Sequence, residues 1–166
     1  NWGAGDPDGT KLTDGVVGPP YSGGTSYRYG AIWSADKNPE ITLDLEMVQR
    51  CASFGLNIHG YPGRDALKGE IKDRIEVLVS DDGATYRSIG FLKTDIRWCE
   101  LPVNHMWTDE ETLKGFTARL IPGKPVTARY VRFKVLNKRF FDVTEIEVLD
   151  SINYTPFDMK IVLPGL

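Results

Sequence analysis

Histidine and cysteine are scarce in this chain, with two of each among 166 residues: His59, His105, Cys51 and Cys99. Ordinary zinc sites draw their ligands from close clusters of such residues, so that chemistry is excluded. The cysteines leave two readings open. They pair, closing a loop worth roughly 4 kcal/mol in the chain-entropy picture and implying an oxidising compartment, or they remain two thiols. Long apolar runs are also missing. None approaches the roughly 20 residues of a membrane span, and the N-terminus carries neither the basic and apolar regions of a secretory signal nor a starting Met. The chain is therefore expected to be a piece of something longer, with any signal peptide outside it. No excess of positive charge exists either: Lys plus Arg number 20 against 23 Asp plus Glu, which denies nucleic acid the basic stripe it needs. Catalytic motifs are absent too, with no G-x-S-x-G, no H-E-x-x-H and no phosphate-cradling glycine loop near either histidine. Glu110 and Glu111 are adjacent and would point apart. Nothing argues for an enzyme.

What the chain does have is period-two alternation. Ile41, Leu43 and Leu45 alternate with Thr42 and Asp44; Phe54, Leu56 and Ile58 with Gly55 and Asn57; Ile75, Val77 and Val79 with Glu76 and Leu78. Each set marks one buried strand face. Stretches 86–92, 116–121, 130–136 and 143–149 continue the series, with Val131, Phe133 and Val135 inward and Arg132 and Lys134 in water. No stretch sustains the spacing of an amphipathic helix. A chain of this length can bury about 70 % of its unfolded surface, so the reading is one all-β sandwich over residues 1–150. Residues 151–166 read as a linker or terminal edge strand leading to an adjacent domain.

Short polar connections at 46–50, 80–84 and 122–125 alternate with long ones at 16–40, 59–72 and 93–112 and a tighter one at 137–142. If successive strands run antiparallel, the long connections gather at one end of the sandwich. That end is the candidate binding face, because the long segments hold three of the four tryptophans together with Tyr61, Arg64, Arg139, Phe140 and Phe141. Asp6-Pro7-Asp8-Gly9 has alternate carboxylates but no closing Glu, and reads as a turn.

Five segments, in order, resemble one family. They are Leu12-Thr13-Asp14-Gly15, Ile41-Thr42-Leu43-Asp44-Leu45, Ile75-Glu76-Val77-Leu78-Val79-Ser80-Asp81-Asp82-Gly83, Ala128-Arg129-Tyr130-Val131-Arg132-Phe133 and Thr144-Glu145-Ile146-Glu147-Val148. Over about residues 10–150 the chain resembles the discoidin family of coagulation-factor type C domains, and more closely carbohydrate-binding modules of family 32. The resemblance implies an eight-stranded, galactose-binding-domain-like jelly roll, no catalysis, and a structural Ca²⁺. Carried over by position, the side chains of Asp14 and Glu145 and the carbonyls of Lys11 and Val16 would hold the ion, with Pro19 and Thr144 as further carbonyl candidates. Ca²⁺ suits such a set because it takes six to eight oxygens at flexible geometry. Parity turns Ile146 and Val148 to the core and Glu145 and Glu147 to the opposite face. The plain competitor is a turn-capping Asp14 and a solvated Glu145. One departure from the family stands out: the positions after the Asp, where relatives often supply a Thr, hold Val16, Val17, Gly18, Pro19 and Pro20.

A sugar site combines an aromatic platform with a few fixed polar groups. Platform candidates are Trp33, Tyr61, Trp98, Trp107 and Phe140, and hydrogen-bonding candidates are His59, Arg64, Asn104 and Arg139. Trp33 and Trp98 serve equally well as packing residues, whereas Trp107, mid-loop beside Asp109, Glu110 and Glu111, is the best exposed ring of the set. The expectation is a monomeric, extracellular, cell-surface or periplasmic glycan-binding module tethered to a catalytic domain. A membrane-surface module of the same fold needs apolar spikes with a basic collar, and the long segments mix Tyr and Trp with acids instead.

Overall fold

The computed structural model describes residues 9–10, 12–15, 31–33, 38–59, 75–93, 117–136 and 141–151. Eight strands follow in order: β1 (Ala31–Trp33), β2 (Glu40–Cys51), β3 (Ser53–His59), β4 (Ile75–Ser80), β5 (Arg87–Phe91), β6 (Thr117–Leu120), β7 (Val126–Val135) and β8 (Phe141–Leu149). They form two four-stranded sheets, β1-β8-β3-β6 and β2-β7-β4-β5, with every neighbouring pair antiparallel. The fold is the all-β sandwich that the alternation predicts.

The alternating residues pack where they should. Ile41, Phe54, Leu56, Ile75, Val77, Val79, Val131, Phe133, Val135 and Ile146 share one buried cluster, to which both sheets contribute. On the outer face of the second sheet, Arg129 clasps Asp44 with two hydrogen bonds of 2.8 Å, and the Arg132 guanidinium lies 3.8 Å from the Tyr86 ring centroid.

Four strands differ from the reading of the sequence. β1 runs through Trp33, inside the stretch taken as a long connection, and three residues are too few to display a period. β7 begins at Val126 and β8 at Phe141, both earlier than the alternation suggests. The stretch 46–50 is not a connection. β2 continues through it: pairing to β7 stops at Asp44↔Tyr130 and resumes at Gln49↔Ala128, so the residues between bow out of the sheet. Asp44 Oδ1 accepts the Glu46 N–H at 2.8 Å, and Glu46 adopts a φ of 68°. A side chain makes that left-handed conformation costly. Glu46→Gly should therefore stabilise the domain by about 0.5–1 kcal/mol, after the extra freedom of glycine in the unfolded chain is subtracted. Urea unfolding measures it, and a lower midpoint would show that Glu46 carries no strain.

Antiparallel register sorts the strand ends into two poles. Cys51↔Val126, Ser53↔Leu149, Phe54↔Leu120, Val79↔Arg87 and Ser80↔Tyr130 lie together with the tight turns 81–86 and 121–125. Trp33↔Phe141, His59↔Asp142, Glu40↔Lys134, Ile75↔Val135 and Glu76↔Phe91 mark the other pole. Connections 34–39, 60–74, 92–116 and 136–140 all leave and rejoin the sheets at this second pole. Most of their residues lie outside the described set.

Candidate functional site

The N-terminal turn is sewn to β8. Ile146 N–H donates to Leu12 O at 2.7 Å, and Gly15 N–H to Glu145 Oε2 at 3.2 Å. Leu12 sits in the core at 6 % exposure and Thr13 Oγ1 donates to Gly9 O, which fixes the turn, while Gly15 takes a φ of 75° that favours glycine. The segment thus occupies the β8 edge beyond the point where β1 stops pairing, at Ala31↔Val143. On β8, register moves from Asn57↔Glu145 to Ile58↔Val143, so Thr144 is the extra residue of a bulge. Bulges re-aim side chains. Here Val143 and Ile146 both reach the core, and Thr144 Oγ1 donates to Asn57 Oδ1 at 2.7 Å.

Glu145 is not the solvated strand carboxylate of the plain reading, because only 5 % of it is exposed. Burial, and then the neighbouring Asp14 carboxylate, push its pKa up to about 8, against the smaller opposing effect of the Gly15 N–H bond. No Lys or Arg pairs with it among the described residues. A buried carboxylate facing a second carboxylate is a poor arrangement for protein alone and a good one for a divalent cation. The residues present therefore fit a calcium ion: Asp14 and Glu145 would hold it with side-chain oxygens. Leu12 O is already engaged by Ile146, so carbonyl ligands would come from elsewhere in the turn. Lys11 and Val16, named above for that role, lie outside the described residues, as does Pro19.

The outer face of this sheet is polar and buried, which the sequence reading missed. Asn57 is 2 % exposed, Thr144 0 %, and Glu147 7 %. Arg119 on β6 reaches across β3 to Glu147, with Nε to Oε1 at 2.8 Å and Nη2 to Oε1 at 2.6 Å. Gly55 lies beneath that bridge. An isolated glycine in an alternating strand signals close approach, and it was the available clue.

Of the nine proposed sugar contacts, two have described backbones. Trp33 closes β1 opposite Phe141, and His59 closes β3 opposite Asp142, so three adjacent strand ends bring both residues to the pole of the long connections. Neither therefore belongs to a loop. Tyr61, Arg64, Trp98, Asn104, Trp107, Arg139 and Phe140 lie outside the described residues. At the opposite pole a cleft of about 280 Å³ is lined by Val79, Ser80, Asp81, Asp82, Thr85, Arg87 and Thr127, with no aromatic ring among them. Cys51 is a free, buried thiol that donates to Gln49 O at 3.6 Å, and burial raises its pKa, which disfavours the thiolate; Cys99 lies outside the described residues.

Two sheets in this order, with an N-terminal turn sealed against the last strand, define a discoidin-like sandwich. Among solved structures, CpGH89CBM32-6 of Clostridium perfringens matches with TM-score 0.53 at 14 % identity, over 90 % of each chain. CBM32-1 from a family 31 glycoside hydrolase of the same organism matches with TM-score 0.52 at 16 % identity, over 89 % of each chain. The lectin domain of lectinolysin, solved with Lewis B antigen, matches with TM-score 0.52 at 15 % identity, over 86 % of this chain and 83 % of its own. The chain thus has the fold of family 32 carbohydrate-binding modules. No protein-family model matches the sequence, and no curated protein does.

Proposed function

We propose that this chain is a non-catalytic carbohydrate-binding module that holds glycan on rings carried by the long connections, with calcium fastening its N-terminal turn to β8. The observation that carries the reading is the meeting of Trp33, Phe141 and His59 at one pole, from which four connections depart, three of them carrying the rings of Tyr61, Trp98, Trp107, Phe116 and Phe140. The lectin domain solved with Lewis B antigen supplies a precedent on the same fold. When bound, calcium would place positive charge between the carboxylates of Asp14 and Glu145. Its place is about rigidity, because the pair lies on the β8 edge and not at the rim.

A shallow, wet site of this kind binds a single sugar in the micromolar to millimolar range. Such a module acts by raising the local concentration of substrate for a catalytic domain to which it is joined, outside the cell or at its surface, as an accessory of the kind of glycoside hydrolase from which CBM32-1 comes. Glycan-array binding set beside vesicle sedimentation tests the reading. The expected result is glycan binding without sedimentation, with Trp107→Ala weakening it roughly tenfold through loss of stacking. Sedimentation with vesicles and silence on the array would replace it with a membrane-surface role, and silence in both with a structural spacer.

A further inference from the structure

β8 changes face halfway along. Val143 belongs to the core, and in an unbroken strand Glu145 and Glu147 would follow it inward, leaving Ile146 on the outer face. The reverse is found: Ile146 joins the core and Val148 packs against it. The switch falls at Thr144, because pairing to β3 passes from Ile58↔Val143 to Asn57↔Glu145 and sets two residues of β8, Thr144 and Glu145, against Asn57 alone. One inserted residue thus decides whether Glu145 faces the N-terminal turn or the core.

An inserted residue leaves the ladder locally broken, so its conformation needs another tether. Here the tether is a side-chain bond, with Thr144 Oγ1 donating to Asn57 Oδ1 at 2.7 Å. Both residues are buried, so water cannot replace either partner. The two bulge residues divide their neighbours. Thr144 turns towards β3, whereas Glu145 accepts the Gly15 N–H on the other side of β8, where the next amide, Ile146 N–H, bonds Leu12 O. We propose that Thr144 and Asn57 are positioning residues, whose bond fixes the bulge that aims Glu145 and the Ile146 N–H at the N-terminal turn. For the cation, this rests on the reading of Asp14 and Glu145 as its ligands. A carboxylate aimed in advance does not have to be ordered when an ion arrives, which favours binding. A buried hydrogen bond of this kind is worth about tenfold in an equilibrium.

Thr144→Val keeps the outline of the side chain and removes the donor, while Thr144→Ser keeps the donor. Two quantities are read on the whole chain: Ca²⁺ affinity by calorimetric titration and, in chelator, the hydrogen-exchange protection of Ile146 N–H by NMR. The second is expressed relative to Val131, an amide in the middle of β7 paired to both β2 and β4. Thr144→Val should lower both quantities about tenfold, and Thr144→Ser should keep both within about twofold of the wild type. In an Asn57→Ala chain, adding Thr144→Val should lower neither any further. Phe133→Ala, which weakens the core without touching the bulge, should lower neither by more than about twofold. Melting curves identify the variants that fold, and the two Thr144 variants suffice where Asn57→Ala does not. Either quantity at its wild-type value in a folded Thr144→Val chain overturns the inference, as does a matching loss in Phe133→Ala. A wild type that takes up no Ca²⁺ overturns the calcium reading instead, and the exchange ratio then decides the role of the bulge by itself.

Discussion

Removing divalent cations with a chelator at pH 8 should lower the melting temperature of this domain by about 10 °C, and the same treatment at pH 5 should lower it far less. The reason is the protonation of Glu145. Its ordinary pKa is 4.5, and in the cation-free fold burial and Asp14 raise it to about 8. Below 4.5 the group is protonated in both folded and unfolded chains and costs nothing. Between 4.5 and 8 the unfolded chain ionises while the buried carboxyl keeps its proton, so stability falls as pH rises, and the loss is complete above 8. Its size is on the order of 2–4 kcal/mol. Glu147, also raised by burial in spite of Arg119, adds to the loss in the same direction. A cation bound to the ionised Asp14 and Glu145 removes the penalty, so the gap between loaded and stripped protein must widen with pH. Differential scanning calorimetry at pH 5, 6.5 and 8, with and without chelator, measures it. A chelator effect that is absent, or equal at all three, would refute the calcium assignment.

Phe133→Ala should cost about 3–5 kcal/mol, as large a loss as any single core truncation among the described residues. Phe133 is fully buried at the centre of β7, with Ile41 opposite it on one side and Val77 on the other. Both neighbours are themselves core residues held by ladders, so the strands cannot close the gap and a cavity remains. Urea unfolding should show the midpoint falling with an unchanged slope. The rim lies at the strand ends and not at mid-strand, so glycan binding at low temperature should survive the substitution. A loss below about 1 kcal/mol would mean that the sheets collapse around the deletion.

Much of the fold was legible because one face of each strand is buried and the other is not. Val131, Phe133 and Val135 against Arg132 and Lys134 announce β7, and the structure buries the first three. Legibility failed where that rule fails. β1 has three residues, too few for any pattern to emerge. The polar run Glu46, Gln49 and Arg50 resembles a turn, yet its end stays paired to β7, because a bowed-out edge costs the ladder only the residues that leave it. In the site, Asp14 and Glu145 were readable as a motif and the structure brings them together. Arg119 was not, since an outward arginine on an edge strand reads as solvated. Neither was the burial of Glu147, since one face of an antiparallel sheet is ordinarily left to water. Gly55 alone among these residues carried a warning.

The direction of β8 has a practical consequence for handling the protein. The strand starts beside Trp33 and finishes among the tight turns, its nine residues spanning about 30 Å. A bead or sensor chip coupled at Ser151 would hold the domain at the pole of the tight turns, opposite the strand ends at Trp33 and His59. Attachment chemistry aimed at position 151 should therefore preserve capture capacity.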